Sequence, residues 1–93
     1  MDRDRALALL NDTHRFPGPF EFRFVIRPAD RATVLSAVVA AGAGRLSVHG
    51  VDERPSRTGA WIGLHVGVTV EDADTVLGVW EAMRGMPEIK LTL

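Results

Sequence analysis

The chain has 93 residues, a formal net charge of −1 and a pI near 6.3, with 46% hydrophobic and 25% charged residues. That is room for one small domain with one modest core, and the near-neutral balance offers no long-range attraction for nucleic acid or an anionic membrane. Cysteine is absent, which excludes disulfides, thiolate metal sites and thiol catalysis.

The first residues, Met1-Asp2-Arg3-Asp4-Arg5, are too charged for a secretory signal. No apolar run approaches the roughly 20 residues of a membrane span, so the expected location is cytoplasmic. Residues 1–12 predict a short helix with Leu7 and Leu10 on one face, which needs a docking surface to persist. Two prolines around Gly18 force an extended entry into the next element. Phe20, Phe22 and Phe24 then alternate with Glu21, Arg23 and Val25, the pattern of a half-buried strand over 20–27. Pro28 closes it, and Asp30 is placed to cap a helix carrying Val34, Leu35, Val38 and Ala41, with Gly42 and Gly44 as its stop. Four alanines (Ala32, Ala37, Ala40, Ala41) suit that helix to close packing on a sheet.

Leu46 to Glu53 predicts a second strand. Leu46 and Val48 point one way and Val51 the other, so Gly50 is expected to mark a bulge. In residues 60–70, Ala60, Ile62, Leu64, Val66, Val68 and Val70 share one face, and Trp61, Gly63, His65, Gly67 and Thr69 the other. Asp72 caps a further helix with a stripe of Ala73, Val76, Val79, Trp80 and Met83. After Pro87, Ile89, Leu91 and Leu93 alternate with Lys90 and Thr92 in a last strand.

The order strand, helix, strand, strand, helix, strand predicts a ferredoxin-like α+β sandwich of residues 20–93, with residues 1–19 as an N-terminal extension. Each helix is expected to cross over between parallel neighbours, and right-handed crossovers put both helices on one face of a four-stranded antiparallel sheet. The other face then has no helix over it. Trp61 lies there by alternation, and two coverings are available: the leader with Leu7, Leu10 and Phe16, or a second subunit or partner protein.

The hairpin "RPSRTG", residues 54–59, reads either as a solvated turn with Gly59 at positive φ or as a grip for a small anion or carboxylate by Arg54, Ser56 and Arg57. Catalytic signals are poor. His14, His49 and His65 stand at no metal-ligand spacing, and Ser36, Ser47 and Ser56 sit in no nucleophile elbow. No metal and no cofactor is expected. The RNA-recognition motif shares this strand order, but the outward face of the third strand carries a single aromatic, Trp61, so no nucleic-acid partner is expected.

Three segments carry a family resemblance. "FPGPFEFRF", "RPSRTGAW" and "MPEIKLTL" together resemble the small bacterial DUF493 proteins, also called YbeD-like or lipoate regulatory proteins. Phe16, Pro17 and Phe20 match the first block, with Arg23 where the family has lysine. Arg54, Ser56 and Gly59 match the second, with Trp61 in the tyrosine place, and Trp80, Pro87, Ile89, Lys90 and Leu93 match the third. Gly18-Pro19 replaces the family's frequent Cys-Asp, and Gly63 replaces a serine. The resemblance implies an ACT-like ferredoxin fold. The glycine that opens an ACT ligand pocket is replaced by Ala32-Thr33, which argues against amino-acid sensing by that route.

The expectation is a non-enzymatic regulatory or interaction module acting through protein contact, a homodimer or a small anionic ligand, with Arg54, Ser56, Arg57, Trp61 and His65 as its site. The alternatives are a small enzyme assembled between subunits, with His65 beside Arg57 or beside Glu53 of a neighbour, and, ranked below it, an RNA-binding module.

Overall fold

The computed structural model describes residues 2–92. Its elements run α1 (Arg3–Thr13), β1 (Gly18–Ile26), a 3-10 turn (Pro28–Asp30), α2 (Arg31–Gly42), β2 (Leu46–Pro55), β3 (Ile62–Val70), α3 (Ala73–Arg84) and β4 (Ile89–Thr92). The strands form one antiparallel sheet in the order β2-β3-β1-β4. Strands β1 and β2 are parallel but are not neighbours, because β3 lies between them; β1 likewise separates β3 from β4. The expected crossovers between parallel neighbours are therefore corrected to crossovers that skip a strand. The ferredoxin-like sandwich is as the element order predicts.

The core follows from the two periodicities. Phe22, Phe24 and Ile26 of β1, with every second residue of β3 from Ile62 to Val70, are buried. They meet Val34 and Val38 of α2 and Val76, Val79 and Met83 of α3. Apolar side chains two apart on strands and three or four apart on helices can face one another only across this single layer boundary. Ala37 and Ala41 of α2 pack against the cluster, while Ala32 and Ala40 are exposed. At the end of α2 the chain passes so close to β2 that a Cβ on Gly42 would stand 2.8 Å from Leu46 Cβ.

The helix ends differ in quality. The carboxylate of Asp72 accepts from both the backbone N–H (2.8 Å) and the hydroxyl (2.6 Å) of Thr75, satisfying a donor that the first turn would otherwise leave free. Asp30 occupies the corresponding place before α2 but makes no capping hydrogen bond, since the preceding 3-10 turn already starts the coil. The α2 stop is not made by Gly42, which is still helical. Ala43 (φ 50°) and Gly44 (φ 81°) take the left-handed conformation instead.

Two bulges change the facing of side chains. The register of β2 shifts between Val48 and Gly50, so Val48 pairs with Val68 and Val51 with Val66. Both valines thus return to the helix side, which resolves the conflicting directions of Leu46, Val48 and Val51. A second shift, between Val25 and Ile26, pairs Ile89 with Ile26 but Leu91 with Val25. Leu91 therefore leaves the face of Ile89 and is 50% exposed, against the predicted alternation. Leu93, expected to extend that pattern, lies outside the described residues. Ala60 is also corrected: it is exposed in the hairpin connection and not part of β3.

The N-terminal segment docks on the helix layer. Leu10 is buried in the core cluster, with Leu7 and Phe16 packed against it. Arg3 forms ion pairs with Asp74 (3.1 Å) and Glu81 of α3. All three helices thus lie on one side of the sheet, and the leader is not the cover of the other side. Among the described residues, no helix is long and apolar enough to cross a membrane.

Candidate functional site

Register lays the open sheet face out in rows. Across β2, β3 and β1 these read Gly50–Gly67–Glu21, then Asp52–His65–Arg23, then Arg54–Gly63–Val25, the last extended by Leu91 of β4. One residue beyond the ladder, Trp61 and Arg27 continue the pattern at the hairpin end. The face carries four basic side chains (Arg23, Arg27, Arg54, Lys90) against two carboxylates (Glu21, Asp52), opposite in sign to the chain as a whole.

His65 sits at the centre, its side chain only 20% exposed, with Nδ1 3.5 Å from Glu21 Oε1. The same Glu21 oxygen accepts from Arg23 Nε at 2.7 Å. The Arg23 hydrogen bond, with the Arg23 charge and the His65 ring adding to it against the opposing cost of desolvation, holds the Glu21 carboxyl below its ordinary range. Glu53 does not share this face. It pairs in register with core residue Leu64 and binds Arg31 at 2.8 Å on the helix side. Arg57 lies at the hairpin tip, beyond the last ladder pair, Pro55–Ile62, whereas His65 pairs with Asp52. Within one chain, then, the carboxylates beside His65 are Glu21 and Asp52, not Glu53, and Arg57 is no partner of it.

The hairpin resolves into a bonded turn. Ser56 N–H donates to Trp61 C=O (2.8 Å), Gly59 N–H to Ser56 C=O (3.1 Å), and Trp61 N–H to Ser56 Oγ (3.2 Å). Gly59 has φ 75°, as the turn chemistry predicts. Ser56 is therefore occupied in closing the loop. Arg54 pairs loosely with Asp52 at 3.5 Å and stands on the open face, apart from the tip. The sequence grouping of Arg54, Ser56 and Arg57 is not one grip.

Trp61 is half-buried without help from the leader. The Arg27 guanidinium lies 4.6 Å and the Lys90 ammonium 4.4 Å from its ring centroid. Arg27, Lys90, Glu21 and Asp52 join the site only through the fold. Lys90 alone had a signal, its place in the "MPEIKLTL" block; the others are brought to His65 and Trp61 by strand register, which a bulge can change by one residue.

A shallow, open depression of about 410 Å³ lies over Gly50 and Gly67, rimmed by Glu21, His49, Asp52 and His65. His49, unpaired at the β2 bulge, hydrogen-bonds Thr69 across it. Among the described residues, no group of three or more His, Asp or Glu converges as metal ligands.

A family model described as "Protein of unknown function (DUF493)" matches residues 11–93. The chain belongs to the DUF493 family. All three blocks of the sequence resemblance, from Phe16 to Leu93, fall inside that match. Among solved structures, the fold is similar to the solution structure of the C-terminal domain of the MgtC protein from Mycobacterium tuberculosis, with a TM-score of 0.69. The identity is 13%, over 86% of this chain and 87% of that one, so the likeness is one of fold. No curated protein matches the sequence.

Proposed function

We propose that this DUF493 domain is a non-enzymatic regulatory or interaction module that acts through its open sheet face, by contact with a protein or a second copy of itself or by binding a small anion. The observation that carries the proposal is the sheet face itself. It is uncovered by any described element, opposite in charge to the rest of the chain, and carries Trp61 with two basic side chains on its ring. Aromatic and arginine side chains are the residue types that dominate binding energy at interfaces. The approach of His65 to Glu21 is the one feature that favours the enzyme alternative. Against it stands the shallow, open shape of the neighbouring depression, since water-excluding enclosure is what strengthens a catalytic pair.

Affinity capture from the native host, read by mass spectrometry for proteins and small molecules, tests this with three variants. Companions of the wild type should be lost in Trp61→Ala and His65→Ala and kept in Arg3→Ala, whose change lies on the helix layer. Companions kept by the first two and lost in the third would move the contact to the helices and overturn the proposal. Light scattering across a dilution series separates a second copy from a foreign partner.

A further inference from the structure

At the hairpin end of the open face, two basic side chains converge on one indole. Arg27 and Lys90 both lie over the Trp61 ring, at 4.6 and 4.4 Å from its centroid. The two positive charges are therefore within about 9 Å of each other, where they repel. The π-cloud of the ring attracts both cations and offsets part of that repulsion. Arg3, Arg23, Arg31, Arg45 and Arg54 all have carboxylate partners. Among the described residues, Arg27 and Lys90 make no such pair. Arg5, Arg15, Arg57 and Arg84 make none either, but of these six only Arg27 and Lys90 converge on one ring, which places two positive charges together with no described carboxylate paired to either.

The geometry points to an oxyanion subsite, in which the carboxylate or phosphate group of a small molecule accepts hydrogen bonds from both the Arg27 guanidinium and the Lys90 ammonium beside Trp61. This rests on the open-face proposal above and moves its anion from the hairpin tip to the sheet. Local structure supports the placement. Arg27 is fixed where β1 ends, because Pro28 starts a 3-10 turn immediately after it. The β4 bulge lets consecutive residues, Lys90 and Leu91, both stand on the open side, so an ammonium and an apolar side chain come together. In the adjoining row, Arg54–Gly63–Val25–Leu91, the three positions after Arg54 are apolar, with no side chain at Gly63. The group that carries the oxyanion thus meets an apolar floor next to the indole.

The test uses the full chain labelled with ¹⁵N, following the indole Nε1–H signal of Trp61, which is assigned by its loss in Trp61→Phe. Inorganic phosphate and acetate are titrated separately, with sodium chloride at matched ionic strength as the control. A saturable displacement with phosphate or acetate and none with chloride is expected, and which anion saturates distinguishes a phosphoryl from a carboxylate ligand. Because each variant removes one charge-assisted hydrogen bond, Arg27→Gln and Lys90→Gln should each weaken apparent affinity by about tenfold or more. Both side chains are exposed, so the variants should keep the wild-type spectrum elsewhere. A displacement that is linear and equal in all three salts overturns the subsite, as does a saturable one unchanged in both variants. If the titration fails while capture still depends on Trp61 and His65, the oxyanion subsite falls alone. If capture fails as well, the open-face proposal falls with it.

Discussion

Gly42→Ala and Gly78→Ala are the same chemical change in two helices, and they should move stability in opposite directions. Gly78 is half-buried in the middle of α3, and a Cβ there meets no atom within 4 Å. Alanine then gains only the lower conformational cost of a helical residue, about 0.5–1 kcal/mol. For a domain of this size that corresponds to a rise in melting temperature of roughly 3–6 °C. Gly42 is the last residue of α2, so its propensity gain is a fraction of that. Its added Cβ would stand 2.8 Å from Leu46 Cβ, well inside van der Waals contact. Leu46 Cβ is attached directly to the β2 backbone and cannot rotate away, so relief requires the end of α2 to lift from the start of β2. Overpacking of this kind costs about 1–3 kcal/mol, which outweighs the helical gain. Thermal unfolding followed by circular dichroism, with urea titration as a second measure, compares the two variants with wild type. If Gly42→Ala raised the melting temperature as Gly78→Ala is expected to, the close approach of α2 to β2 would not be present in solution and the packing account of this corner would be wrong.

Gly59→Val places a β-branched residue at φ 75° and should destabilise by about 1–3 kcal/mol in urea titration; unchanged stability would reject the turn geometry. The double variant Arg54→Ala, Arg57→Ala removes exposed side chains and should stay within about 0.5 kcal/mol of wild type, so a large fall in melting temperature would make the loop structural. Asp72→Ala removes the α3 cap and should cost about 0.5–2 kcal/mol at neutral pH. The hydrogen bonds from Thr75, side chain first, hold the Asp72 carboxyl below its ordinary range, with the Arg45 charge adding to them. A carboxylate depressed in the folded state contributes stability that is present above its unfolded value of about 3.9 and is lost as pH falls through the lower folded value. The difference between wild type and Asp72→Ala should therefore shrink in acid titration below about pH 4, and a difference that persisted there would assign the loss to packing and not to the ionised cap.

What the sequence determined by itself is the set of elements and the side of the sheet on which the core lies. Ile62 to Val70 alternate without a fault and Phe22 and Phe24 do the same, so burial of one face follows from the strand period alone. The Asp72 cap and the positive φ of Gly59 were legible for the same reason, since each depends on residues within a few positions of itself. Three features depended on long-range pairing and could be decided only by the tertiary structure. The β4 bulge turns Leu91 to the open side, because register with β1 and not local alternation sets its face. The leader goes to α3 because Leu10 finds the core edge there and Arg3 finds Asp74 and Glu81. The open-face cluster likewise exists only in register: Arg27, Trp61 and Lys90 are far apart in the chain, as are Glu21, Asp52 and His65, and each trio meets only through paired strands. Arg54, Ser56 and Arg57, close in sequence, are divided by a bonded turn: Arg54 stands in the sheet ladder, while Ser56 closes the loop in which Arg57 lies. Nearness along the chain fixes backbone conformation within a few residues, whereas side chains meet across a sheet only through its hydrogen-bond register, which a single bulge can shift.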